Sequence, residues 1–162
     1  MNRILQRLFF AIIVRPVVYV LLGLNVRDWQ KLPRNGPAIL VANHNSHLDT
    51  LVLMSLFPLS SLPRLRPVAA ADYFFANFFT KWFATNIIGI IPIHRNGESG
   101  SPLEGCFEAI DSGDILILFP EGSRGEPEKG LGEFKRGVQI LAEKRQNLRV
   151  YPVLLHGLGK FS

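Results

Sequence analysis

The sequence predicts an α/β protein: a largely parallel or mixed central sheet flanked by helices, preceded by an apolar, membrane-associating helical segment. Three observations predict it. Short apolar runs of strand length alternate with longer stretches of helical pattern, which calls for strands joined by helical crossovers. Polar clusters follow those runs directly, and open α/β sheets gather ligand sites at strand carboxyl ends. The first 24 residues are basic and apolar together, unlike the rest of the chain.

A chain of 162 residues is long enough for one domain with a real core. Hydrophobic residues make up 48% of it, and Lys+Arg 18 against Asp+Glu 13 leaves a net charge of +5. The mean hydropathy of +0.19 is high for a purely soluble enzyme, and the pI is near 9.7. Apolarity with basic charge favours an anionic membrane surface or an acidic partner. The alternative is a basic soluble protein with a large core. The single cysteine, Cys106, excludes an internal disulfide and any multi-cysteine metal site. It lies in the amphipathic stretch Leu103–Phe107, where packing is the expectation rather than reactivity.

Within residues 1–24, Arg15-Pro16 splits the apolar run in two, and neither half reaches the roughly 20 residues of a spanning helix. Spanning would also place Arg15 near mid-membrane. Two short helical pieces lying in the interface are expected, with Arg3, Arg7, Arg15, Arg27, Lys31 and Arg34 meeting head groups. The alternatives are a helix packed on the domain and a single spanning helix. Turn residues Leu32–Pro37 close this unit, so residues 1–35 form the membrane-associating segment and 36–162 the domain.

The domain opens with Ala38–Ala42 as a buried strand. Ser46 can cap a helix carrying Leu48, Leu51, Val52 and Leu56. Pro58–Pro67 reads as a connection and Val68–Ala71 as a short strand. Asp72 can cap an aromatic helix running from Tyr73 to Phe83. That helix is apolar all round, which implies deep burial or contact with lipid or an acyl chain. Ile87–Ile93 is a strand candidate. Helices are expected over Pro102–Asp111 and Glu133–Gln146, the latter with Phe134, Val138, Ile140 and Leu141 inward. Strands are expected over Asp114–Phe119 and Val150–Leu155.

The organising stretch is Asn43-His44-Asn45-Ser46-His47-Leu48-Asp49, a polar cluster between two apolar runs. Polar groups beside a core need partners. A histidine with a carboxylate five positions on supplies a chemical reason: His44 as general base, oriented by Asp49. The competing reading is helix capping, with Asn43, Ser46 and Asp49 satisfying backbone donors.

Further blocks complete a pattern. Gly89–Arg95 reads Gly-Ile-Ile-Pro-Ile-His-Arg, Phe119–Arg124 reads Phe-Pro-Glu-Gly-Ser-Arg, Phe134–Gly137 reads Phe-Lys-Arg-Gly, and Val150–Val153 contains Pro152. With Asn43-His44 and Asp49, the order and spacing resemble the glycerolipid acyltransferases of the lysophosphatidic acid acyltransferase type, over residues 36 to about 157. The resemblance implies the glycerophosphate acyltransferase-like fold. It implies transfer of an acyl group from acyl-CoA or acyl carrier protein to the free hydroxyl of a lysophospholipid, 1-acylglycerol 3-phosphate above all, giving phosphatidic acid. Other lysolipid or amino-acid lipid acceptors, or an inactive membrane-binding remnant, are the alternatives.

The resemblance makes His44 and Asp49 catalytic, and assigns Arg95, Glu121, Gly122, Ser123 and Arg124 to the acceptor and its phosphate. Guanidinium groups bind phosphate bidentately, and Gly122 permits close backbone approach. For Arg95 the alternative is a surface salt bridge, and for Lys135 a solvated helix position. No metal and no cofactor is implied, the donor being a co-substrate. A metal site of His44, His47 and Asp49 is the weaker competitor. Partners are membrane lipid and the acyl donor, with no nucleic acid. The location implied is the membrane, on the cytoplasmic face of the inner or plasma membrane if the source is bacterial. Two departures stand out. Position 94 is His where the family often has Asp, and the family continues for several tens of residues past the fourth block, so a C-terminal truncation at Ser162 is expected. His47, His94 and His156 carry no assigned role.

Overall fold

The computed structural model describes residues 1–44, 46, 48–71, 77–93, 102–120, 131–145 and 147–156, the segment 131–136 by its backbone. Among the described residues, five strands form one sheet: β1 (Ala38–Ala42), β2 (Leu65–Ala70), β3 (Ile91–Ile93), β4 (Ile115–Leu118) and β5 (Arg149–Val153). Their order is β3-β2-β4-β1-β5, and every pairing is parallel. All carboxyl ends therefore share one edge. The helices are α1 (Arg3–Leu21), α2 (Asp49–Ser55), α3 (Phe78–Phe83), α4 (Glu104–Asp111) and α5 (Leu131–Lys144).

Side chains of a strand alternate between faces, so the apolar runs of β1 and β4 feed two cores. Ala38, Leu40, Ala42, Ile115 and Ile117 meet Val52, Leu53 and Met54 of α2 and Phe10, Val14 and Val18 of α1. On the other face Ile39, Leu116 and Leu118 meet Cys106, Ala109 and Ile110 of α4 and Leu141 of α5. Burial pushes the Cys106 thiol up to about 12, against the pull of the Arg66 charge. Before β1, Gly36 passes so close to the Gly113 and Asp114 backbone that a Cβ there would collide with both carbonyl oxygens.

Several expectations are corrected. Pro67 lies inside β2, not in a connection. Leu65–Pro67 pair with β4 and Val68–Ala70 with β3, so each half of β2 has one neighbour at a time. A proline's missing N–H is tolerated in such edge-like pairing. Ile87 and Ile88 are not strand. A π-turn over Ala84–Ile88 prolongs α3 and stops at Gly89 with φ +82°, leaving Ile91–Ile93 as β3. A short buried apolar run suits helix and strand equally, and packing decided. Asn77 caps α3, its Oδ1 accepting from Thr80 N at 2.8 Å. Asp72 and the aromatics of 73–75 lie outside the described residues. In α5, Ile140 is exposed while Leu141 is buried.

The N-terminal run is one helix, not two pieces. Its buried side chains, Gln6, Phe10, Val14 and Val18, recur every four residues. Four residues overshoot one α-turn by about 40°, at about 100° per residue. The wider π-turns over Phe10–Val14 and Val17–Leu21 swing the stripe back toward the domain and accommodate the Pro16 ring. Arg15 turns inward as well, donating to Phe57 O at 2.7 Å, and does not face head groups as expected. Tyr19 Oη donates to Ser55 O at 3.1 Å.

Candidate active site

β1 is apolar and buried throughout, and its polar sequel starts where the chain leaves the sheet. Asn43 comes first. Its Nδ2 donates to Leu155 O at 2.8 Å, and its Oδ1 accepts from Leu155 N at 2.7 Å. The β1–β5 ladder ends at Ala42 and Val153, so the amide adds one rung beyond the strands. His44 thus leaves a fixed point.

Asp49 opens α2, where the helix N-terminus favours a negative charge. It is fully buried. Its Oδ2 accepts from Ser46 N at 2.8 Å and lies 3.1 Å from His44 Nδ1. Asp49 N donates to Ser46 O at 3.0 Å, and Ser46 Oγ accepts from Leu48 N at 3.3 Å. A single carboxylate oxygen thus satisfies a backbone donor and meets the histidine, while the expected cap is absent: α2 has Leu48 at its N-cap and no side-chain cap bond. A carboxylate only accepts, so the contact with His44 puts the proton on Nδ1. The imidazole side chain is 22% exposed and the carboxylate 0%, which suits a reachable base held by a sequestered acid.

Phe119, the first residue past β4, packs on the imidazole with ring centroids 4.6 Å apart and planes tilted by 39°. Sequence reasoning gave Phe119 no role of its own, and it offered Asn43 only as a helix cap, whereas its partner is the Leu155 backbone. Both sit inside the recognised motifs and next to strand ends, which was the signal available.

The expected acceptor residues Arg95, Glu121, Gly122, Ser123 and Arg124 lie outside the described residues, as do His47 and His94. In chain order, 94–101 follow β3 and 121–130 follow β4. β4 is the neighbour of β1, whereas β3 lies three strand spacings away, roughly 14 Å. His156 is exposed, one residue past the Asn43 bridge. Among the described residues, no three His, Cys, Asp or Glu side chains come together as a metal site would require.

The family model described as Acyltransferase matches residues 23–156. The chain belongs to the acyltransferase family. The match takes in the whole sheet and the His44–Asp49 pair. The chain is 30% identical over 146 residues to a chloroplastic 1-acyl-sn-glycerol-3-phosphate acyltransferase of Arabidopsis thaliana, covering 88% of this chain and 38% of that protein. It is 32% identical over 122 residues to the 1-acyl-sn-glycerol-3-phosphate acyltransferase of Helicobacter pylori, covering 74% and 48%. It is 30% identical over 139 residues to the alpha form of that enzyme from Mus musculus, covering 84% and 46%. The chain thus spans less than half the length of these curated relatives. No solved structure matches it.

Proposed function

We propose that the protein transfers a fatty acyl group from a thioester, acyl-CoA or acyl carrier protein, to the free hydroxyl of 1-acylglycerol 3-phosphate, giving phosphatidic acid. The observation that carries this reading is the 3.1 Å contact between His44 Nδ1 and buried Asp49 at the carboxyl end of β1, in a chain of the acyltransferase family.

An alcohol is a poor nucleophile near neutral pH. His44 Nε2 takes the hydroxyl proton as the oxygen attacks the thioester carbonyl. Asp49 holds the ring and stabilises the imidazolium that forms. The C–O bond forms, the tetrahedral oxyanion collapses, and the C–S bond breaks. The imidazolium returns its proton to the departing thiolate, so no covalent enzyme intermediate is required. Arg95 and Arg124 bind the acceptor phosphate. Gly122 and Ser123 offer backbone N–H groups to the anion, and Glu121 orients an arginine or contacts the acceptor hydroxyl. The acceptor is a membrane lipid, and the enzyme works at the membrane, on the cytoplasmic face in a bacterium.

The test is an acyl-transfer assay on membranes, with a panel of lysolipid acceptors offered each donor in turn. Incorporation into lysophosphatidate, lost in His44→Ala with the fold retained by circular dichroism, is the expected result. Full activity in His44→Ala would overturn the base assignment, and turnover restricted to another acceptor would overturn the substrate.

A further inference from the structure

Among the described residues, the exposed large apolar side chains concentrate on two elements, α1 and α3. On α1, Ile4, Leu8 and Ile12 face outward at four-residue spacing, opposite the stripe that packs on the domain. On α3, Phe78 and Phe79 are 79% and 81% exposed, with Trp82 beside them at 41%. The two elements adjoin. Phe9 of α1 meets Phe83 of α3 edge-on at 5.2 Å, and Asn2 N donates to Asn86 O at 2.9 Å. α1 is also clamped to the domain further along, by Arg15 to Phe57 O and Tyr19 to Ser55 O. A helix clamped in this way cannot stand across a bilayer without drawing the domain in after it.

We propose that α1 and α3 together form a platform that lies in one face of a lipid bilayer, with Phe78, Phe79 and Trp82 of α3 inserted at the boundary between head groups and acyl chains. This deepens the membrane-lipid reading given under the proposed function. α1 has the length and apolarity of a spanning helix, but its fixed attachment makes it an in-plane one. α3 joins it although it lies between the motif blocks, far from the N-terminus in sequence. Two phenyl groups exposed to this degree form an open surface, not a pocket for a single acyl chain. Exposed Arg3, Arg7 and Lys81 fringe the surface, and the chain carries a net charge of +5. Anionic lipid complements that charge, whereas a second copy of the chain would bring the same cations against it. Tryptophan at the rim suits the interfacial region, where one part of the ring is apolar and the other wet.

The test uses the full chain carrying Trp29→Phe, which leaves Trp82 as its one tryptophan, since the sequence has two. It is mixed with phosphatidylglycerol–phosphatidylcholine vesicles whose acyl chains are brominated at graded depths. Trp82 fluorescence is expected to be quenched, most strongly by bromines near the head groups. Phe78→Ser/Phe79→Ser should weaken partitioning at least about tenfold while leaving helix content unchanged. His44→Ala should bind as the parent does, so a failure of the catalytic reading is read separately from a failure of the platform. Flotation with Trp82 unquenched would overturn the role of α3. Strongest quenching at the bilayer centre would overturn the in-plane geometry. An unquenched Trp82 in a concentration-dependent dimer that the serine pair abolishes would assign the surface to a second copy instead.

Discussion

The Phe119 ring lies against the His44 imidazole, with centroids 4.6 Å apart, and joins the end of β4 to the end of β1 through the proposed base. Asp49 meets one nitrogen of that imidazole, and Phe119 packs against the ring. Phe119→Leu keeps apolar volume but loses the flat face. Ring contacts of this kind contribute about 0.5–1.5 kcal/mol. A fall in kcat of up to about tenfold is expected, with KM for the acceptor unchanged and activity recovered in Phe119→Tyr. Equal activity in all three proteins would show that the ring only fills space.

Asp49→Asn tests the pairing itself. The amide keeps the size of the side chain but cannot accept as a charged carboxylate from both Ser46 N and His44. Loss of the oriented base is expected to lower kcat by about 10²–10⁴-fold. Asp49→Ala should in addition destabilise the fold by about 1–3 kcal/mol, because Ser46 N–H is left buried without its acceptor. Steady-state kinetics and urea denaturation measure the two effects independently.

Asn43 makes a prediction with a pH signature. Asn43→Ala removes both bonds to Leu155 and should cost about 1–3 kcal/mol. Asn43→Asp keeps the acceptor but turns a carboxylate oxygen toward Leu155 O. Protonation restores a donor there, so the folded state raises the pKa of the introduced acid. Its stability should therefore fall as pH rises through that raised value, and the loss at pH 7 should shrink at pH 4.5. Denaturation midpoints at the two pH values check this.

Two native carboxylates act in opposite directions. The hydrogen bonds from Arg145 hold Asp111 below the ordinary carboxylate value of 3.8. Its contribution is present above that value and is lost as pH falls through the lowered one. Burial raises Asp114 above the same value, and Arg66 only partly opposes this. The folded state then holds the proton more tightly than the unfolded one, so Asp114 disfavours folding as pH rises through its raised value. Melting curves from pH 3 to 7 should show Asp111→Asn flattening the acid-side loss, and Asp114→Asn gaining stability toward neutral pH.

Cys106 should resist chemistry. Its thiol is buried and raised to about 12, so little thiolate forms near pH 8. Alkylation by iodoacetamide should be slow in the folded protein and fast in urea, as mass spectrometry would read.

The sequence by itself determined the α/β class, the place of each of the five strands though not the bounds of β2 and β3, and the pairing of His44 with Asp49. These rest on local signals: apolar runs of strand length, and a base and acid five residues apart across a tight turn. Other features were decided only by the tertiary structure. Ile87 and Ile88 became helical because the core covers that apolar run whichever way it folds. Pro67 entered β2 because that strand changes neighbours at the proline. Arg15-Pro16 did not break α1, because π-turns and the Phe57 carbonyl accommodate both residues. The link from Asn43 to Leu155 spans 112 residues, and the contact between Phe119 and His44 joins two separate strands. No local pattern encodes such pairs. They exist because neighbouring parallel strands bring distant segments to one edge, and that edge is where the proposed base is held.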